Sequence, residues 1–181
     1  MITERATATG CTIAYVNQMS GQDELVFDGG SMVIGSDGRM VSCAPQFEEH
    51  LLMTAVELPV AKPSAHATVI DITESPRSVS RQSTPQPAHV LDDRAQIYGA
   101  LVVGTRDYVR KNGFTDVVIG LSGGIDSALV AAVAVDALGA EHVHGVSMPS
   151  RYSSDGSRLD AAALASNLGI EMRTISIEPA F

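Results

Sequence analysis

Residues 117–127 read Val117-Val118-Ile119-Gly120-Leu121-Ser122-Gly123-Gly124-Ile125-Asp126-Ser127, an apolar strand that enters a glycine-rich turn and then an alanine-rich helix. Leu121 ends the strand, Gly123 and Gly124 let the backbone bend with no Cβ in the way, and Asp126 and Ser127 start the helix. Unpaired backbone N–H groups and the positive end of the helix dipole then converge on one small space, which suits phosphate. Ser122 and Ser127 add hydroxyl donors. A carboxylate at Asp126 beside phosphate makes sense with a divalent cation between them. The string holds no G-x-x-x-x-G-K-S/T, and no G-x-G-x-x-G follows the strand, so neither the Walker loop nor the dinucleotide fingerprint is present.

Ser122-Gly123-Gly124-Ile125-Asp126-Ser127 resembles the pyrophosphate loop of the N-type ATP pyrophosphatases. That superfamily includes NAD, GMP, asparagine and argininosuccinate synthetases and some tRNA-modifying ligases. A second strand is expected over residues 142–148. It leads into Met148-Pro149-Ser150-Arg151-Tyr152-Ser153-Ser154 and a helix of pattern Ser157-x-x-Asp160-Ala161-x-x-Leu164-Ala165-x-Asn167-Leu168-Gly169-Ile170. That combination looks like the synthetase domain of the glutamine-dependent NAD synthetases. The resemblance implies binding of ATP by Gly120, Leu121, Ser122, Gly123, Gly124, Ile125, Asp126, Ser127, Ser147 and Met148, with Mg²⁺ at Asp126. Ser147 and Met148 would lie near the adenosine, at the carboxyl end of a parallel strand. Arg151 and Tyr152 fit a solvated loop as well as a binding role.

Upstream, residues 12–17 read as a strand and residues 18–31 as a polar, glycine-punctuated loop. Residues 32–34 and 40–43 pair as a hairpin across Ser36-Asp37-Gly38, and 51–58 reads as a further strand. Tyr15-Val16-Asn17-Gln18 followed by Gly21-Gln22-Asp23-Glu24-Leu25-Val26-Phe27-Asp28-Gly29 resembles the last part of the nitrilase-type amidohydrolase domain of the same family. Such glutaminases use a glutamate, a lysine and a nucleophilic cysteine, all expected before the first residue here, so no catalytic residue is assigned. Cys11 and Cys43 read as small buried hydrophobes. Two cysteines without metal-ligand spacing, and no signal peptide, indicate a reducing, cytoplasmic setting.

The remaining pattern is helix 93–111, capped by Asp92 or Asp93 and ended by Asn112-Gly113, then strand 117–121, helix 127–138, strand 142–148, helix 157–168 and strand 171–177. Alternating helices and strands with short connections predict parallel pairing and right-handed crossovers. The fold class is α/β: a β-rich tail of a nitrilase-like sandwich over 1–58, and half of a doubly wound, adenine nucleotide α-hydrolase-like domain over 91–181. Residues 59–90 hold five of the eight prolines and read as a linker, with a short strand possible at 69–72. Val117, Val118 and Ile119 form the apolar run of a central strand. His142 and His144 alternate along the next strand with no third ligand in view, and read as structural.

Charge narrows the partners. Residues 1–58 carry eight acidic against two basic side chains, and the whole chain has a formal net charge of −9. No basic stripe exists, which argues against nucleic acid. The apolar run 128–140 is interrupted by Asp136 and is too short to span a bilayer. Family resemblance implies deamido-NAD, ATP and glutamine as substrates and a homo-oligomeric parent enzyme. Three readings stay open: part of such a ligase, a non-catalytic fragment with at most weak ATP binding, or a different amidating ATP pyrophosphatase. Length fits the tail of one domain joined to the head of another.

Overall fold

The computed structural model describes residues 1–56, 70 and 86–180. Their contacts divide the chain into two compact units: Met1–Gln18 with Gly29–Val90, and Met19–Asp28 with Leu91–Phe181.

In the first unit, helix α1 (Ile2–Thr9) stops at Gly10, which adopts a left-handed conformation (φ 63°). The Gly10 and Cys11 N–H groups return to carbonyls of the last turn. Strand β1 (Ile13–Tyr15) pairs antiparallel with β4 (Met32–Ile34), and β4 with β5 (Met40–Cys43). Gly38 at φ 80° closes the turn between β4 and β5, as Asp37-Gly38 predicts. Two expectations change here. Cys11 is exposed, because it follows the helix cap at the surface, whereas Cys43 is buried as expected. Residues 51–56 form no strand, and the remainder of the expected 51–58 strand, like the expected strand at 69–72 except Ile70, lies outside the described residues.

The second unit holds what reads from sequence as a loop. Residues 18–31 contain a two-residue hairpin of β2 (Met19–Gln22) and β3 (Leu25–Asp28). Its turn uses Asp23 at φ 51°, a conformation that Asp tolerates without the glycine a hairpin search looks for. The hairpin packs on α2 (Asp93–Lys111). Gly21 N–H donates to Asp107 at 2.7 Å, and Lys111 Nζ donates to Gly21 O at 2.7 Å and Ser20 Oγ at 2.8 Å. The Asp92 carboxylate caps α2 by accepting the Ala95 N–H.

Beyond α2, strands β6 (Val117–Gly120), β7 (Val143–Ser147) and β8 (Glu171–Thr174) form a parallel sheet in the order β6-β7-β8. They are joined by α3 (Ile125–Leu138) and α4 (Asp155–Leu168). The core gathers Leu121, Val143 and Ile170 with Val109 of α2 and the small buried residues Ala131, Ala134, Ala137, Ala161 and Ala165. Alanines let helices approach the sheet closely, and each buried methyl still adds to hydrophobic stabilisation. Val118 departs from the expected buried run. Val117 and Ile119 turn toward α3, so strand alternation sends Val118 to the other face, where it is 70% exposed.

Candidate functional site

The site is built where β6 ends. Leu121 is buried and donates its N–H to Val146 O at 2.8 Å, which locks the end of β6 to β7. The chain then turns through Ser122 and Gly123. Gly123 has φ 81°, and a Cβ there would lie 2.3 Å from Ser157 O, so the turn presses directly on the start of α4. Gly124 caps α3 with no side-chain hydrogen bond to the first-turn N–H groups. These donors are left for a ligand or water.

Hydroxyls order this turn. Gly124 N–H donates to Ser122 Oγ at 3.2 Å, Ser127 Oγ donates to Gly124 O at 3.0 Å, and the two hydroxyls lie 3.1 Å apart. Asp126, exposed on the first turn of α3, forms no ion pair among the described residues. The Asp126 carboxylate is a hard oxygen donor of the kind Mg²⁺ takes, carried on the same turn as the Ser122 and Ser127 hydroxyls.

The facing wall comes from β7 and α4. Ser147 closes β7, followed by Met148 and Pro149, and Ser154 caps α4 by accepting the Ser157 N–H at 3.1 Å. A cavity of about 300 Å³ opens between the two walls, at the carboxyl edge of the parallel strands. Leu121, Ser122, Ser147 and Met148 line it together, and Gly120 lies against Met148, whose Cε would stand 3.3 Å from an added Cβ. Gly123, Gly124, Ile125, Asp126 and Ser127 do not line it; they form the turn and the first turn of α3 beside it.

Arg151 and Tyr152 fit either a solvated loop or a binding role in sequence, and the fold separates them. Tyr152 lines the cavity, whereas Arg151 pairs with Glu178 through its side chain and its backbone N–H. Ser153, Ser154, Ser157 and Arg158 also line the cavity and were missed. The available signal was the run of hydroxyl residues after a strand, which the same turn logic would have picked up.

The opposite edge of the sheet has a different character. Asp116 lies 3.4 Å from His142 Nδ1 and 3.3 Å from His144 Nε2, and His144 Nδ1 lies 3.6 Å from Glu171. The Thr115 hydroxyl, with help from both imidazoles, holds the Asp116 carboxyl below its ordinary range, and Arg173 does the same for Glu171. No set of three side chains suited to a metal occurs among the described residues.

Two family models match different stretches of the chain. Residues 97–181 match the NAD synthase family model, and residues 1–65 match the carbon-nitrogen hydrolase family model. The glutamine-dependent NAD(+) synthetase of Aquifex aeolicus (strain VF5) is 47% identical over 96% of this chain and 33% of its own length. That of Synechocystis sp. is 41% identical over 99% of this chain and 29% of its own. This chain belongs to the glutamine-dependent NAD(+) synthetase family. It spans about a third of the length of these family members. The synthetase of the family from Acinetobacter baumannii, solved in complex with ADP, superposes with a TM-score of 0.81 at 38% identity, over 99% of this chain and 30% of that one. A family structure from Cytophaga hutchinsonii, 16% identical, shares the fold at a TM-score of 0.69.

Proposed function

We propose that this chain carries the nucleotide-holding segment of a glutamine-hydrolysing NAD synthetase. In that reaction the nicotinate carboxylate of deamido-NAD attacks the α-phosphorus of ATP and pyrophosphate leaves. Ammonia released from glutamine then displaces AMP and forms the amide. Ser122, Gly123, Gly124, Ile125 and Ser127 hold the pyrophosphate, with Gly120 and Leu121 fixing the strand end beneath them. Ser147 and Met148 face the adenosine. Asp126 would hold Mg²⁺, which supplies positive charge for the leaving pyrophosphate. The chain's own contribution is electrostatic: first-turn N–H groups of α3 and hydroxyl donors preorganised around negative charge.

The observation that carries this reading is the meeting of Ser122 with Ser147 and Met148 in one cavity at the carboxyl edge of a parallel sheet. The net charge of −9 supports a protein that meets neither nucleic acid nor anionic membrane, and no helix among the described residues is long and apolar enough to cross a bilayer. We place the protein in the cytoplasm as part of a homo-oligomeric enzyme.

Calorimetry with MgATP tests the site. Binding by the unsubstituted chain that Asp126→Ala abolishes supports the reading, and absence of binding by the unsubstituted chain overturns it. A second reading, binding without turnover by this polypeptide alone, is favoured by its span of about a third of its relatives. An assay with deamido-NAD, MgATP and free ammonium separates the two: amide product excludes the second.

A further inference from the structure

Arg158 is the one charged side chain among those lining the cavity. Its place follows from helix geometry. Positions 158, 161 and 165 fall on one stripe of α4, and Ala161 and Ala165 are the buried residues of that helix. Arg158 therefore continues the sheet-facing stripe into the first turn, where the packed alanines give way to the cavity. The neighbouring residue Ser157 is the one Gly123 presses against, so this turn lies next to the Ser122 turn and not at the far end of the cavity.

The guanidinium is available. Its one hydrogen bond is from Nη2 to Ser150 O at 3.3 Å, and it has no ion pair among the described residues, while Arg151 nearby is held by Glu178. An arginine has five N–H donors in a fork that matches phosphate. Ser147 adds an independent sign of a ligand. It is only 6% exposed, lines the same cavity and makes no side-chain hydrogen bond among the described residues. The buried side-chain oxygens without a partner among the described residues are Ser42 Oγ and Thr54 Oγ1, so the unpartnered Ser147 hydroxyl is open to the cavity it lines and is free to meet a ligand there. No acidic side chain lines the cavity; Asp126 and Asp155 sit on the first turns of α3 and α4 outside it, and Glu178 is taken up by Arg151.

We propose that Arg158, with the hydroxyls of Ser154 and Ser157, holds the polyphosphate of the nucleotide from the side opposite the Ser122 turn. This rests on the nucleotide reading of the site and extends it: the anion lies between two helix starts, and a side chain outside the glycine turn supplies the cationic contact.

Calorimetry on the full chain, with MgATP, pyrophosphate and adenosine as separate probes, tests this against the unsubstituted chain, Arg158→Gln and Arg158→Lys. Arg158→Gln should weaken MgATP and pyrophosphate binding roughly tenfold or more, flatten the salt dependence and leave adenosine affinity within about twofold. Arg158→Lys, which keeps the charge, should recover part of the loss. Unchanged MgATP and pyrophosphate affinities in Arg158→Gln overturn the proposal and leave the nucleotide site standing. A parallel loss of adenosine affinity, unrelieved in Arg158→Lys, also overturns it, since the side chain then acts through Ser150. If the unsubstituted chain binds none of the three probes, the nucleotide reading falls and this proposal with it.

Discussion

The backbone of Ser157 occupies the space into which a side chain at Gly123 would project: an added Cβ would lie 2.3 Å from Ser157 O and 2.8 Å from its Cα. Two elements 34 positions apart in sequence are thereby fitted to each other, and the missing side chain at Gly123 is what lets the turn and the first turn of α4 approach this closely.

Gly123→Ala should therefore be costly on two counts, a positive φ of 81° and a backbone clash. A loss of about 1–3 kcal/mol in stability is expected, together with loss of MgATP binding. Gly124→Ala is the control, because its Cβ would meet only Ser122 Oγ, at 3.3 Å, and its φ is −91°. Thermal denaturation and calorimetry on both variants measure the difference; equal effects would refute this account of the turn.

The hairpin of β2 and β3 should loosen from α2 in acid. Burial alone would raise the Asp107 carboxyl, but the Gly21 N–H, Arg106 and Lys111 outweigh it and hold it below the ordinary value of 3.8. A depressed carboxyl contributes stability that is fully present above its unfolded value and is lost as pH falls through the folded one. The docked hairpin should thus hold at neutral pH and lose protection below about pH 4. Amide exchange of residues in β2 and β3 across that range follows it. Asp107→Asn should cost about 1–3 kcal/mol at neutral pH and remove the acid dependence.

Capping should matter at α4. Ser154→Ala removes the acceptor for the Ser157 N–H and should destabilise by about 1 kcal/mol. Ser154→Asp, which keeps an acceptor, should restore most of that. Urea denaturation reads both.

Core and surface valines should differ sharply. Val143 is 0% exposed in the middle strand, and Val143→Ala should cost about 2 kcal/mol in transfer and cavity terms. Val118, at 70% exposure, should tolerate alanine within about 0.5 kcal/mol. Denaturant midpoints with unchanged slopes would bear this out.

Much of the second unit was legible because its signals are local. Asp92 as a cap, Asn112-Gly113 as a stop, and the alternation of strand and helix from Val117 onward all depend on neighbours within a few residues. Boundaries were less exact: α3 starts at Ile125, and β8 ends at Thr174, short of the expected residue 177. In sequence the hairpin around Asp23 reads as a loop, since its polar residues show no apolar alternation and its stability comes from α2, 86 positions away at Asp107. Residue type alone points to a buried Cys11, yet the cap at Gly10 leaves it at the surface.

The sequence by itself determined the Ser122-to-Ser127 turn, because glycine torsions, hydroxyl donors and a helix start are properties of consecutive residues. It also supplied the resemblance that family membership bears out. Tertiary structure decided which residues face that turn. Parallel pairing set Gly120 against Val146, brought Ser147 and Met148 to the same edge, and laid α4 so that Ser157 meets Gly123 and Arg158 faces the cavity. Those neighbours are fixed by strand register and helix packing across dozens of residues, which no local pattern encodes.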